Sequence, residues 1–373
     1  MKFSDITGHE TVIKSLREMV DTNKIPHAIL LSGMEGIGKF RLARALSQYI
    51  HCRNKINGDS CGICPSCIQH QKLNNPDLHF IYPILKRDGA LISKDYIDKW
   101  KEMLETFPLM EMKSWNDLIK AGNSQPSIFV NDSEWINTRA SLSAYQEKYK
   151  IFLIWLPERM RQEAANKILK IIEEPFEDTI FIFVSNEEAK ILPTIFSRTQ
   201  RFNLSPLSEK NIYNHLIRNK GVDRSIAESV AEISEGSLSR AESLACNPEE
   251  LNDFSDIFKN VMRNSWKSNL KSLKEYSEKI ASFGREKNLR LLDYFSHSIR
   301  ENYIYNFKIP NLTLMTTEEK EFSNKFSPFI NEKNIEKISD IISSSYNDIE
   351  RNGNAKIIMF DMFLDMATLI KSK

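Results

Sequence analysis

Two groups of residues in this sequence have the types and the spacing to do chemistry: a glycine-rich loop ending in lysine, and a cluster of four cysteines. Gly33-Met34-Glu35-Gly36-Ile37-Gly38-Lys39 matches the phosphate-loop pattern, in which backbone N–H groups of a tight turn and the helix that follows cradle an anion. Gly33, Gly36, Gly38 and Lys39 are the candidate phosphate-binding residues, with the lysine supplying a point charge. The next position should carry a Ser or Thr hydroxyl for Mg²⁺, and it is Phe40. A second run, Lys150-Ile151-Phe152-Leu153-Ile154, should deliver an acidic side chain to the metal and leads into Trp155 and Leu156 instead. Without a hard oxygen ligand or a base to orient water, the pattern predicts a loop with at most residual ATP or ADP binding, no magnesium site and no hydrolysis. The bland alternative is a strand-to-helix turn whose glycines serve packing.

Cys52, Cys61, Cys64 and Cys67 read C-x8-C-x2-C-x2-C. Four thiolates at that spacing suit a closed tetrahedral zinc site, and Gly58 and Gly62 permit the tight turns it needs. Zinc would stabilise a segment too short to build its own core. Unrelated buried thiols and an iron–sulfur cluster are the alternatives, although the C-x3-C-P element that accompanies many such clusters is absent. Cys246 stands apart on a helical pattern and is expected to be a core thiol.

These groups need elements to hold them. Residues 28–32 form a short continuous apolar run before Gly33, and Leu42, Ala43, Leu46 and Ile50 repeat at helical spacing after Lys39. That order of strand, loop and helix is the context a phosphate loop requires. Further apolar runs at 78–82, 151–156 and 179–184 predict buried strands, with a helix over 158–172 stopped by Glu173-Glu174-Pro175. Strands alternating with helices imply a parallel sheet covered on both faces, so residues 1–205 are expected to form one α/β domain. Residues 85–147 interrupt the rhythm and are expected to be a partly helical surface insertion, with a helix over 93–105. Beyond Pro206 the pattern is helical only, at 209–218, 224–233 and 237–246. This predicts a small all-α lid over 206–247 and an all-α domain over 248–373. Its last helix, 356–371, has so little polar face that burial on most sides is expected.

Composition narrows the class. Hydrophobic residues make up 41% and charged residues 27%, which is ordinary globular material. Lys and Arg number 51 against 50 Asp and Glu, so a net charge of +1 gives no general attraction to nucleic acid. Residues 1–10 carry Asp5, His9 and Glu10 and no apolar core of a leader, and no apolar run approaches the ~18 residues of a membrane span. A cytoplasmic location is expected.

Taken in order, Pro26-His27-Ala28, the phosphate loop, the cysteine set, Ala165-Asn166-Lys167-Ile168-Leu169-Lys170, Glu173-Glu174-Pro175, Ser185-Asn186 and Leu192-Pro193-Thr194-Ile195-Phe196-Ser197-Arg198-Thr199 resemble the delta-prime subunits of bacterial DNA polymerase III clamp loaders, within the AAA+ family. The resemblance spans the first ~245 residues; beyond them only helicity is shared. It implies a P-loop AAA+ domain with a zinc module, then a lid and a collar that holds subunits together. It also implies an arginine finger at Arg198, in Ser197-Arg198-Thr199, which reaches the ATP of a neighbouring subunit; the permanent charge and planar donor fork of arginine suit that task. A surface salt bridge at a helix end is the alternative. Asn186 falls where active relatives position water. Arg240, in Gly236-Ser237-Leu238-Ser239-Arg240, falls in the region that touches nucleotide phosphates, or is a solvated helix arginine. His27 is expected to be a packed ring.

Lys39-Phe40 and Trp155-Leu156 separate the chain from the active gamma or tau pattern and point to the member that donates a finger without hydrolysing ATP. The implied partners are delta and gamma or tau subunits and, through the assembly, the sliding clamp and primer–template DNA. Two rivals remain at this stage: an active gamma/tau-like ATPase with an unusual metal arrangement, and a zinc-stabilised nucleic-acid adaptor.

Overall fold

The computed structural model describes residues 1–87, 89–122, 124–246, 248–309, 315 and 317–371. They fall into two compact units, Met1–Lys220 with Ser234–Ala241, and Gly221–Ile233 with Glu242–Lys373. The helical stretch 206–247 is thus shared between them.

The first unit is built on a parallel sheet of β1 (Ala28–Ser32), β2 (Leu78–Ile81), β3 (Lys150–Trp155), β4 (Thr179–Ser185) and β5 (Gln200–Asn203), in the order β2-β3-β4-β1-β5. The continuous apolar runs follow from burial on both faces. Ile29, Leu31, Ile151, Leu153, Trp155, Ile180, Ile182 and Val184 point into one core with the helices Glu10–Asp21 and Lys39–His51. Their alternates Ala28, Leu30, Phe152, Ile154, Phe181 and Phe183 point into a second core with the helix Gln162–Glu173. An α/β domain with helices on both faces is what the strand pattern implied.

Three expectations need correction. The sequence reading missed β5, because Gln200-Arg201-Phe202-Asn203 has no apolar run; it is a mostly exposed edge strand paired with β1. The helix after β3 does not begin at 158: a 3₁₀ turn, Pro157–Arg159, comes first, and the helix proper is Gln162–Glu173. The insertion is not a surface appendage. Its helices Ile97–Thr106 and Met112–Leu118 put Trp100, Met103, Leu104, Met112 and Trp115 into the first core, and Val130–Ala140 puts Ile136 and Ala140 into the second. In the second unit, the helix Ala355–Leu369 buries Met359, Met362, Phe363 and Met366 and packs Ile358, Phe360 and Leu369 against the same core; a narrow stripe that includes Ile357, Asp361 and Asp365 is exposed, so the helix is buried on most sides as its composition implied.

The second unit is otherwise helical, around a core that includes Phe254, Phe258, Leu273, Phe295, Ile338 and Phe363. Among the described residues no helix is long and apolar enough to cross a membrane.

Candidate phosphate-loop site and cysteine cluster

The loop joins β1 to the helix Lys39–His51, with Gly36 and Gly38 at φ of 79° and 88°, where side chains are strained. A Cβ at Gly36 would lie 2.0 Å from Ser239 Oγ and 2.4 Å from Ser237 Oγ, so these serines sit directly on the loop. The contact is hydrogen bonded: Ser239 N–H donates to Gly36 O at 3.1 Å and Ser237 Oγ to Glu35 O at 3.4 Å. Lys39 does not face solvent. It is 4% exposed and its ammonium donates to the Met34 carbonyl.

Two carboxylates that the sequence reading passed over belong to this site. Glu35 accepts from Met112 N–H at 3.0 Å and Asn186 Nδ2 at 3.2 Å. Glu158, in the 3₁₀ turn after β3, accepts from the N–H groups of Asn186 at 2.9 Å and Glu187 at 3.3 Å. Burial pushes both carboxyl groups up. Burial also lowers the Lys39 ammonium to about 8, against the attraction of Glu35 and Glu158. The charge that would meet a phosphate is therefore answered inside the chain. Spacing alone could not reveal this, because Glu158 lies far from the loop in sequence.

The positions that should hold the metal are joined by one residue of the insertion. Phe40 and Trp155 are 2% and 1% exposed, and each has its ring centroid 5.5 Å from that of Trp100. Trp100 stacks on Tyr82 at 3.8 Å and meets Trp115 edge-on at 5.3 Å, while Trp115 Nε1 donates to Pro83 O at 2.7 Å. Aromatic packing of this kind offers no oxygen to a hard cation.

The cysteine set lies at the other end of the same helix. Cys52 is the residue at which the helix Lys39–His51 ends, Cys64 caps the helix Pro65–Gln71, and Cys67 lies within it. The four sulfurs all lie within 4.8 Å of one another, close enough to hold a metal ion. Cys61 and Cys67 sulfurs are 3.9 Å apart, near the ~3.8 Å edge of a tetrahedron with metal–sulfur bonds of ~2.3 Å. Backbone N–H groups point at the sulfurs, Cys61 N–H to Cys52 Sγ at 3.2 Å and Cys64 N–H to Cys61 Sγ at 3.3 Å. Burial opposes ionisation at Cys61, yet N–H groups of Ile63 and Cys64 bring it to about 6; burial raises Cys52 and Cys67. A cation is what would let all four ionise together. Beside the cluster, His51 Nδ1 and His70 Nε2 lie 2.9 Å apart, a buried contact that ties the two helices and that the sequence reading did not single out.

Arg198 follows the short helix Pro193–Phe196. Its Nη2 lies 2.7 Å from Glu173 Oε1, and Nη1 donates to Thr194 O at 2.9 Å; the side chain is 37% exposed. Arg240 pairs with Glu235 at 3.2 Å, next to the Ser239 that covers the loop. His27 enters β1, its carbonyl accepting from Phe181 N–H at 2.7 Å. Cys246 is exposed at the end of the helix Leu238–Cys246, not a core thiol.

A parallel sheet, a glycine loop and its helix define a P-loop-type α/β domain, here with a cysteine module inserted after the loop helix. The family model described as "DNA polymerase III, delta subunit" matches residues 8–208, and the chain belongs to this family. The DNA polymerase III subunit gamma/tau of Mycobacterium bovis is 27% identical over 223 residues, 59% of this chain and 32% of that protein. The DNA polymerase III subunit gamma of Buchnera aphidicola is 26% identical over 214 residues, 57% of this chain and 48% of that protein. The delta' subunit of Bacillus subtilis is 26% identical over 206 residues, 55% of this chain and 50% of that protein. The matches thus span between 32% and 50% of these relatives. The resemblance to clamp-loader subunits holds at the level of the family, while both gamma/tau and delta' occur among the relatives' names.

Proposed function

We propose that this chain is a delta-prime-like clamp-loader subunit that does not hydrolyse ATP and donates Arg198 to a neighbouring ATPase subunit, with zinc on Cys52, Cys61, Cys64 and Cys67. The observation that carries the reading is the placement of Trp100 between Phe40 and Trp155, which fills the metal side of the loop with aromatic carbon. Hydrolysis needs a cation to bridge the phosphate oxygens, and the two positions expected to ligate it, Phe40 and Trp155, carry no side-chain oxygen. Lys39, turned onto Met34, and the serines on Gly36 add to the same reading.

What the chain keeps exposed is the arginine. In this proposal the first unit presents Arg198 to the partner's nucleotide, the helices of 206–247 act as lid and those of 248–373 as collar, with delta and gamma or tau as partners. The sliding clamp and primed DNA are reached through the assembly in the cytoplasm. Zinc is structural: its four sulfurs leave no open position for chemistry. Arg240, paired with Glu235, has no phosphate to meet while the loop is closed.

The test is ATP hydrolysis by the reconstituted loader with DNA and clamp, wild type against Arg198→Ala in this subunit alone. A finger predicts a fall of about 10³-fold or more in kcat with assembly intact. An unchanged rate would leave the chain as scaffold. A second reading, an active gamma/tau-like ATPase, is favoured by the names of several relatives; it predicts magnesium-dependent turnover that Lys39→Ala abolishes.

A further inference from the structure

We propose that Glu173 is the positioning residue for Arg198, fixing the guanidinium in the orientation it presents to a partner's phosphate; this rests on Arg198 being a finger. Glu173 is the last residue of the helix Gln162–Glu173, and its neighbours Ile171 and Ile172 are buried in the same core as Ile195 of the helix Pro193–Phe196. The backbones that carry the carboxylate and the guanidinium are therefore locked to each other by packed side chains rather than by a mobile loop. On that base the side-chain contacts converge. Nη2 lies 2.7 Å from Glu173 Oε1, and Nη1 donates to Thr194 O at 2.9 Å and to Ser197 Oγ at 3.4 Å. The Arg198 N–H itself donates to Ile195 O at 3.1 Å, closing the turn beneath the side chain.

An ion pair this exposed, with side chains 37% and 45% accessible, contributes little to stability. Its effect is on conformation. An arginine has many rotamers, and each one frozen out before the partner arrives is one the encounter does not have to select. The pair uses part of the guanidinium's five donors and leaves others for a phosphoryl group. Glu173 touches no substrate in this scheme; it acts through Arg198.

The experiment is steady-state ATP hydrolysis by the reconstituted loader, with DNA and clamp, carrying Glu173→Ala, Glu173→Asp, Arg198→Ala or the double variant in this subunit. Glu173→Ala is expected to lower kcat roughly 10- to 100-fold, as misplacement of a catalytic group does, with KM for ATP and the melting temperature of the subunit unchanged. Glu173→Asp should recover part of the loss. The double variant should match Arg198→Ala alone, because a residue that acts only through the arginine has nothing left to act on. A further loss in the double variant, a rise in KM alone, or a faster rate with Glu173→Ala would overturn the positioning role while leaving the finger standing. Arg198→Ala with wild-type kcat would overturn both.

Discussion

The phosphate loop and the cysteine cluster sit at opposite ends of one helix, Lys39–His51, and they stand in opposite relation to the ligands their patterns call for. At the N-terminal end the loop is in contact with its own chain: Ser237 and Ser239 lie on Gly36, Lys39 is turned onto Met34, and Trp100 packs against both Phe40 and Trp155. At the C-terminal end four sulfurs lie within 4.8 Å of one another, close enough to hold a metal ion. A motif therefore does not measure a site's need for a ligand. What measures it is whether the surrounding side chains already satisfy the charges and volume that the ligand would satisfy.

The largest effect is expected where the ligand is still needed. Binding of structural zinc is worth on the order of 10 kcal/mol or more in small modules, so removing it should unfold the segment 52–67 and, through Cys52 and the His51–His70 contact, loosen the end of the loop helix. Purified protein should contain one zinc per chain by elemental analysis, and a strong chelator should lower its melting temperature by many degrees. ATP and magnesium should leave that temperature where it was. A chelator-insensitive melt, or a clear shift with ATP, would erase the contrast between the two ends.

The next effect is expected at the plug. Trp100 is fully buried and packs on Tyr82, Phe40, Trp115 and Trp155, so Trp100→Ala should cost about 3–5 kcal/mol in urea denaturation. The opened space should gain no magnesium-dependent hydrolysis, because Phe40 and Trp155 remain without oxygen donors. A gain of turnover would mean that the plug alone silences the site.

The parts of this molecule that were legible in advance are those written in local pattern. The continuous runs of β1, β3 and β4 have a physical cause in burial on both faces, and C-x8-C-x2-C-x2-C brought its four sulfurs together. The parts that were not legible depend on contacts between distant segments. Gln200-Arg201-Phe202-Asn203 is a strand only because β1 offers it an edge, and its own composition says nothing of it. Trp100 looked like part of a surface insertion because nothing in its neighbourhood announces that Phe40 and Trp155 converge on it. Glu158 is likewise three residues past the expected metal position, and it reaches Asn186 only because Leu156, at φ of 55°, turns the chain into the 3₁₀ segment.

The smallest effect, and the finest division between the two ends of the helix, concerns the charge on Lys39. Burial brings its ammonium to about 8, below the ordinary lysine value near 10.4, so the folded chain gives up that proton before the unfolded chain does. Between those two values the unfolded state binds more protons, and stability rises with pH; below about 8 both states are protonated and the penalty stays constant. Lys39→Met removes the penalty along with the charge. Its unfolding free energy from urea denaturation at pH 7 should equal or exceed that of the wild type by an amount on the order of 1–3 kcal/mol, and the difference should shrink by pH 10. A loop held open for a phosphate would not behave in this way: with the lysine solvated and waiting for an anion, the variant and the wild type would follow the same pH profile, and only their affinity for ATP would differ.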